Sequence, residues 1–191
     1  MKLLSSIAAL SLMPIAALAQ DVMATTDLNI RSGPGSNADI LGVIPAEGMA
    51  MLDGCVGGTR WCQVTYDGTT GFAYADYLAF TADASDVVVS DAVAIDPDPE
   101  FTAADVAGAL VGVDAETAVT MAEDQGAAEE FVMSDPAVDP VYLDGEVVIG
   151  AGVPVGVNLI EIPDNGLSYA NINGLQVLVD PTSRQIVSVV R

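Results

Sequence analysis

The sequence predicts a mainly β protein: a small N-terminal β-barrel, an acidic linker with weak helices, and a small C-terminal β-rich (α+β) module. Three observations predict it. Residues 22–80 alternate short β-branched or aromatic runs with turn residues at regular intervals. Residues 81–100, TADASDVVVSDAVAIDPDPE, are acidic, lack aromatics and end in two Asp-Pro steps, the composition of a linker. Residues 138–191 return to strands separated by Asp-Gly and Asn-Gly turns.

The first residues read as a leader. Lys2 supplies a positive start, Leu3 to Leu12 an apolar run, and Pro14 a break. Ala17-Leu18-Ala19 then fits the small-x-small cleavage pattern. Residues 1–19 are therefore expected to be a signal peptide cleaved after Ala19, placing the protein in the periplasm or outside the cell. The run is too short for a comfortable membrane span, and no transmembrane segment is expected after cleavage. Charge excludes another class of partner. Asp and Glu number 27 against 5 Lys and Arg, a formal net charge of -22. Outside the leader the basic residues are Arg31, Arg60, Arg184 and Arg191, so nucleic-acid binding is not expected.

In the barrel segment 21–80, Leu28-Asn29-Ile30-Arg31 leads into a Gly33-Pro34-Gly35 loop. Gly33 and Gly35 permit positive φ, and Pro34 stiffens the turn. Strands are expected again at Ile40 to Ile44, Ala50 to Leu52, Trp61 to Tyr66 and Gly71 to Tyr74. The Leu-Asn-Ile-Arg-Ser-Gly-Pro start, the Ile-Leu-Gly after it, Trp61 before Val64, and the Thr70-Gly71-Phe72 to Tyr77-Leu78 ending resemble the bacterial SH3 family. That likeness implies an SH3-like barrel that binds peptidoglycan or a peptide of an envelope protein. Phe72 stands where the family usually carries tryptophan, which reduces the stacking surface.

Cys55 and Cys62 are the only cysteines. A hairpin turning at Gly58-Thr59 places them opposite each other, at a spacing that a disulfide bridges. An oxidising compartment favours the bond. The spacing is not that of a Cys-x-x-Cys redox motif, and without histidine a zinc site lacks ligands.

Residues 101–133 are expected to be weakly helical. Thr102 caps a turn carrying Val106, Ala109 and Leu110, and Asp114 caps a second with Val119 and Ala122. In the C-terminal module, Asp144-Gly145 is expected to join strands Val141 to Leu143 and Glu146 to Ile149. Asn173-Gly174 joins Tyr169–Ile172 to Leu175–Val179, and Asp180-Pro181-Thr182-Ser183 turns into Gln185–Val190. Pro140-Val141-Tyr142-Leu143-Asp144-Gly145-Glu146-Val147-Val148, Ile162-Pro163, Asn173-Gly174, and Leu178-Val179-Asp180-Pro181 with Arg184-Gln185-Ile186-Val187 resemble an envelope family known as domain of unknown function 1236. The likeness implies an exported protein of alphaproteobacterial type and supplies no activity.

Catalysis is not expected. Histidine is absent and the only lysine lies in the leader, which removes the usual general base, Schiff-base chemistry and zinc hydrolase constellations. The acidic residues cluster where no pocket is implied. Asp96, Asp98 and Glu100 alternate with prolines and lack calcium-loop geometry, so neither metal nor cofactor is expected. Binding remains. Trp61 and Phe72 are assigned to the barrel core, and Tyr74, Tyr77 and Arg31 to its surface as candidate ligand contacts. The function expected is that of a non-catalytic periplasmic adaptor. The alternative is a structural or interaction protein whose C-terminal β module pairs with another chain.

Overall fold

The computed structural model describes residues 20–80, 94–95, 107–110, 125–134 and 138–191. The leader 1–19 lies outside these residues, as do most of the linker and the expected caps Thr102 and Asp114 with Val106, Val119 and Ala122.

Seven strands build the barrel: β1 (Gln20–Ala24), β2 (Leu28–Arg31), β3 (Ile40–Ile44), β4 (Met49–Val56), β5 (Trp61–Tyr66), β6 (Thr69–Tyr74) and β7 (Leu78–Phe80). Their order is β3-β2-β6-β5-β4-β1-β7, and a single 3-10 turn (Ala75–Tyr77) leads into β7. Alternation decides which residues meet. Val22, Leu28, Ile30, Ile44, Leu52 and Val64 point inward and are buried around Trp61. Trp61 is core as expected, and Phe72 packs against that core while staying partly exposed.

The β4–β5 register sets Cys55 opposite Cys62, and the two are bonded. The turn between them has Gly58 at φ 78°, a conformation glycine adopts without steric cost. Part of the expected linker is ordered against this corner: β8 (Ala94–Ile95) runs parallel to β4, with Cys55 facing Ala94.

The C-terminal sheet has the order β12-β11-β10-β9, made of β9 (Ile160–Glu161), β10 (Ser168–Ile172), β11 (Leu175–Asp180) and β12 (Gln185–Val190). The last three form the expected meander. Asn173 and Gly174 sit at φ 54° and 81°, the two positive values that a tight primed hairpin turn requires. Helix α1 (Gln125–Ser134) lays Ala128 and Val132 on Leu178 and Val187, and Phe131 meets Tyr169 edge-on at 6.2 Å.

Two expectations are corrected here. Ala109 and Leu110 are extended rather than helical. Ala107 N–H donates to Tyr142 O, Asp144 N–H to Gly108 O, and Leu110 N–H to Asp144 O, so this stretch pairs in parallel with 142–144. Among the described residues the helix of this region is α1 (Gln125–Ser134). Asp144-Gly145 also does not join two paired strands. Val141 bridges Ile172 instead, and the turn's backbone groups are taken by Asn173, which accepts from Leu143 N–H at 2.8 Å and donates to Gly145 O at 3.0 Å. Satisfied by another turn, these groups have no need of a ladder.

Breaking the disulfide is expected to weaken the barrel. Cys62→Ser should lower unfolding stability by about 2 kcal/mol, the chain-entropy value for so short a loop. Urea denaturation followed by the fluorescence of Trp61, the only tryptophan, measures it.

Candidate functional site

Arg31 ends β2, beside a bulge between Ile30 and Arg31. The Gly-Pro-Gly loop folds back over its side chain, so Nη1 donates to Ser36 O at 2.8 Å and to Ala38 O at 2.9 Å. Strand β6 closes the other side. A Cβ on Gly71 would stand 2.5 Å from Arg31 O and 2.6 Å from Ile30 Cγ2, so only glycine fits this crossing.

The rest of the guanidinium is held from the far end of the chain. Nε donates to Glu146 Oε2 at 2.5 Å and Nη2 to Glu146 Oε1 at 2.7 Å, a two-pronged pair. Asn173 O accepts longer contacts at 3.5 Å. Every guanidinium N–H therefore has an acceptor. Glu146 Oε1 also accepts from Asn29 Nδ2 at 3.0 Å and from its neighbour's backbone, Val147 N–H, at 2.9 Å. Both side chains are shut from solvent, at 1% and 0% exposure.

Tyr74 and Tyr77 flank this contact. Tyr74 is buried, meets Trp61 edge-on at 5.3 Å, and lies 6.3 Å from Tyr77. Tyr77 packs against both the barrel core and the core of the C-terminal sheet. Burial pushes the Tyr74 hydroxyl up to about 12, and the negative charges of Asp144 and Asp76 add to the effect. Tyr77 is pushed up to about 12 by burial first, then by Asp76 and Glu146. Arg60, exposed and paired with Asp76, has its pKa raised mainly by that hydrogen bond. The expected surface positions of Arg31 and Tyr74 are thus corrected, since both are interior. The three candidate contacts do converge, but on the chain's own loop 144–146.

Residues 26–79 match the family model of the bacterial SH3 domain, and residues 132–191 match that of a domain of unknown function, DUF1236. The architecture is a bacterial SH3 domain followed by DUF1236. No curated protein and no solved structure matches the chain.

The SH3 barrel and DUF1236 therefore meet through a buried ion pair and a shared tyrosine. Arg191, the last residue, adds a contact of 3.4 Å from Nη2 to Asn29 Oδ1. A cleft of about 240 Å³ between Asp27 and Val189 marks the seam. Within DUF1236 a wider groove of about 650 Å³ runs past Asn158, Glu161, Ser168 and Arg184. Arg184 braces its wall, donating from Nε to Val153 O at 3.0 Å and from Nη2 to Pro154 O and Val157 O at 2.7 and 2.8 Å. Among the described residues no group of three His, Cys, Asp or Glu gathers to hold a metal ion, and no helix is long and apolar enough to cross a membrane.

Sequence reasoning missed Glu146 and Asn173. A signal for the first was present. Glu146 stands directly before the apolar Val147-Val148-Ile149, and an acid beside such a run needs a partner once buried. Asn173 was legible as a turn residue, while its bonds to Leu143 and Gly145 depend on tertiary placement.

Removing either member of the ion pair leaves a buried charge without compensation. Glu146→Ala and Arg31→Ala are each expected to destabilise by about 3–5 kcal/mol, with the double variant well below their sum. Urea unfolding of the four proteins tests this, and losses under about 0.5 kcal/mol would refute it.

Alkali should act on the same contact. A neutral tyrosine favoured by the fold contributes stability that is complete below the ordinary value of 10.0 and is lost as the pH rises toward about 12. The unfolded chain releases the proton first, so stability falls across that window. Tyr77→Phe should make the fall shallower in a pH series of urea melts.

Proposed function

We propose that the protein is a non-catalytic binding protein of the bacterial envelope, in which the SH3 barrel and DUF1236 work as one body. The match to a bacterial SH3 domain supports a binding role. The observation that carries the reading is the seating of Glu146 on Arg31. It commits one face of the barrel to the chain's own second domain and directs the ligand elsewhere. The groove of DUF1236 offers a volume suited to a small ligand or to part of a chain. Its lining mixes apolar side chains such as Val155 and Leu159 with amide, hydroxyl and carboxylate groups, a combination suited to a wall glycan, a wall peptide or an envelope protein segment.

Export through the leader, with cleavage after Ala19, belongs to the same reading. Strand β1 begins at Gln20, so that cut would leave it whole. The absence of histidine and the confinement of lysine to the leader support a role without catalysis.

The second reading is a structural protein whose C-terminal module pairs with another chain. The position of β9 favours it. This strand is one edge of its sheet and lies along the groove, so an extended peptide entering there could add a strand.

Co-sedimentation with isolated sacculi separates the two. On the first reading the protein pellets with sacculi, and Asn158→Ala with Ser168→Ala returns it to the supernatant. Retention unchanged by those substitutions would rule out the groove. No pelleting, together with capture of an envelope protein lost in an Ile160→Pro variant, would favour strand addition.

A further inference from the structure

The outer face of the barrel carries a chemistry that neither the core nor the domain contact uses. Of the seven methionines in the chain, three come together there. Met23 on β1 lies directly opposite Met49 on β4, and Met51 follows two residues later on the same face. Met51 in turn stands opposite Asp21.

The register brings these side chains close. Ala24 N–H donates to Gly48 O at 2.9 Å, so the adjacent Met23–Met49 pair is of the non-hydrogen-bonded kind. In such pairs the Cα atoms stand only about 4.5 Å apart and the side chains lie closest. Met23 and Met51 are diagonal neighbours, about 7–8 Å apart at the backbone and within reach of long side chains.

Packing accounts for only part of the trio: Met23 is half-buried, and its two neighbours stand out from the sheet. Met49 and Met51 are 48% and 47% exposed, while Val22, Ala50 and Leu52 fill the core behind them. Strand propensity does not account for them, because exposed strand positions favour threonine and β-branched or aromatic residues. What the three share is a thioether: a neutral, soft sulfur donor that needs no deprotonation. Hard cations prefer oxygen, whereas thioethers select Cu(I). The Asp21 carboxylate beside Met51 and the formal charge of -22 on the chain favour a cation near this face.

We propose that Met23, Met49 and Met51 form a surface site for a soft monovalent cation, Cu(I), with the three thioethers as donors and Asp21 as a nearby countercharge. Binding is ligation of an ion already in the reduced state, and no electron is transferred. The site is separate from the DUF1236 groove and does not depend on the reading of that groove.

The purified protein, with its disulfide intact, is titrated with silver nitrate in chloride-free buffer, Ag(I) serving as the redox-inert probe. The methionine methyl groups are followed by NMR. A parallel titration uses Cu(I) under argon against a chromogenic chelator. The methyls of Met23, Met49 and Met51 are expected to shift together and saturate at one ion per chain. Met133, more exposed at 65% but alone on α1, should be unmoved at that point. Each single Met→Leu change in the trio should weaken binding at least about tenfold, the loss that even outer-shell partners of a metal produce. Shifts that start no earlier than that of Met133 would overturn the site. So would single variants with unchanged affinity, because the thioethers would then act independently.

Discussion

A buried guanidinium and a buried carboxylate, brought from opposite ends of the chain, hold this molecule together. Taking two charges out of water is expensive, and attraction between them offsets that cost only when every remaining donor and acceptor is also satisfied. Here that condition is met by backbone groups and one side-chain amide. Ser36 and Ala38 turn their carbonyls onto Arg31, Asn29 and Val147 donate to Glu146, and Asn173 completes the ring. The loop after β2, the glycine in β6 and the turn before β11 are each shaped by the need to surround one ion pair.

The arrangement changes what the SH3 barrel presents. Residues that look like a ligand face in isolation are instead a socket for the following domain. Tyr77 is shared between two apolar clusters, and Tyr74 is pressed between Trp61 and the seam. Arg60 is paired with Asp76, and Arg184 braces a loop through three carbonyls. The described arginines thus have structural partners, even where, as at Arg60, the side chain stays exposed.

Much of the fold was legible in the sequence because it rests on local rules. Alternation and turn residues gave the barrel strands, the Cys55–Cys62 register followed from hairpin geometry, and Asn173-Gly174 announced its turn. What escaped depends on distant partners. Ala109 is extended because residues 142–144 offer it a ladder, which no window around Ala109 contains. Val141 pairs with Ile172 rather than across Asp144-Gly145 for the same reason. Arg31 was legible as special but not as buried. A cation in a strand looks like a surface residue until the acid that neutralises it is known, and Glu146 is 115 positions away. The methionine face was hidden differently: Met23 is distant in sequence from Met49 and Met51, and only the β1–β4 register joins them.

That long separation has a consequence for the order in which the molecule is assembled. A chain made from its N-terminus presents the whole barrel well before residue 146 emerges. For that interval the guanidinium has its two loop carbonyls but no carboxylate, and its pocket stays open to water. The barrel by itself therefore lacks the acid that compensates Arg31, and the last domain supplies it.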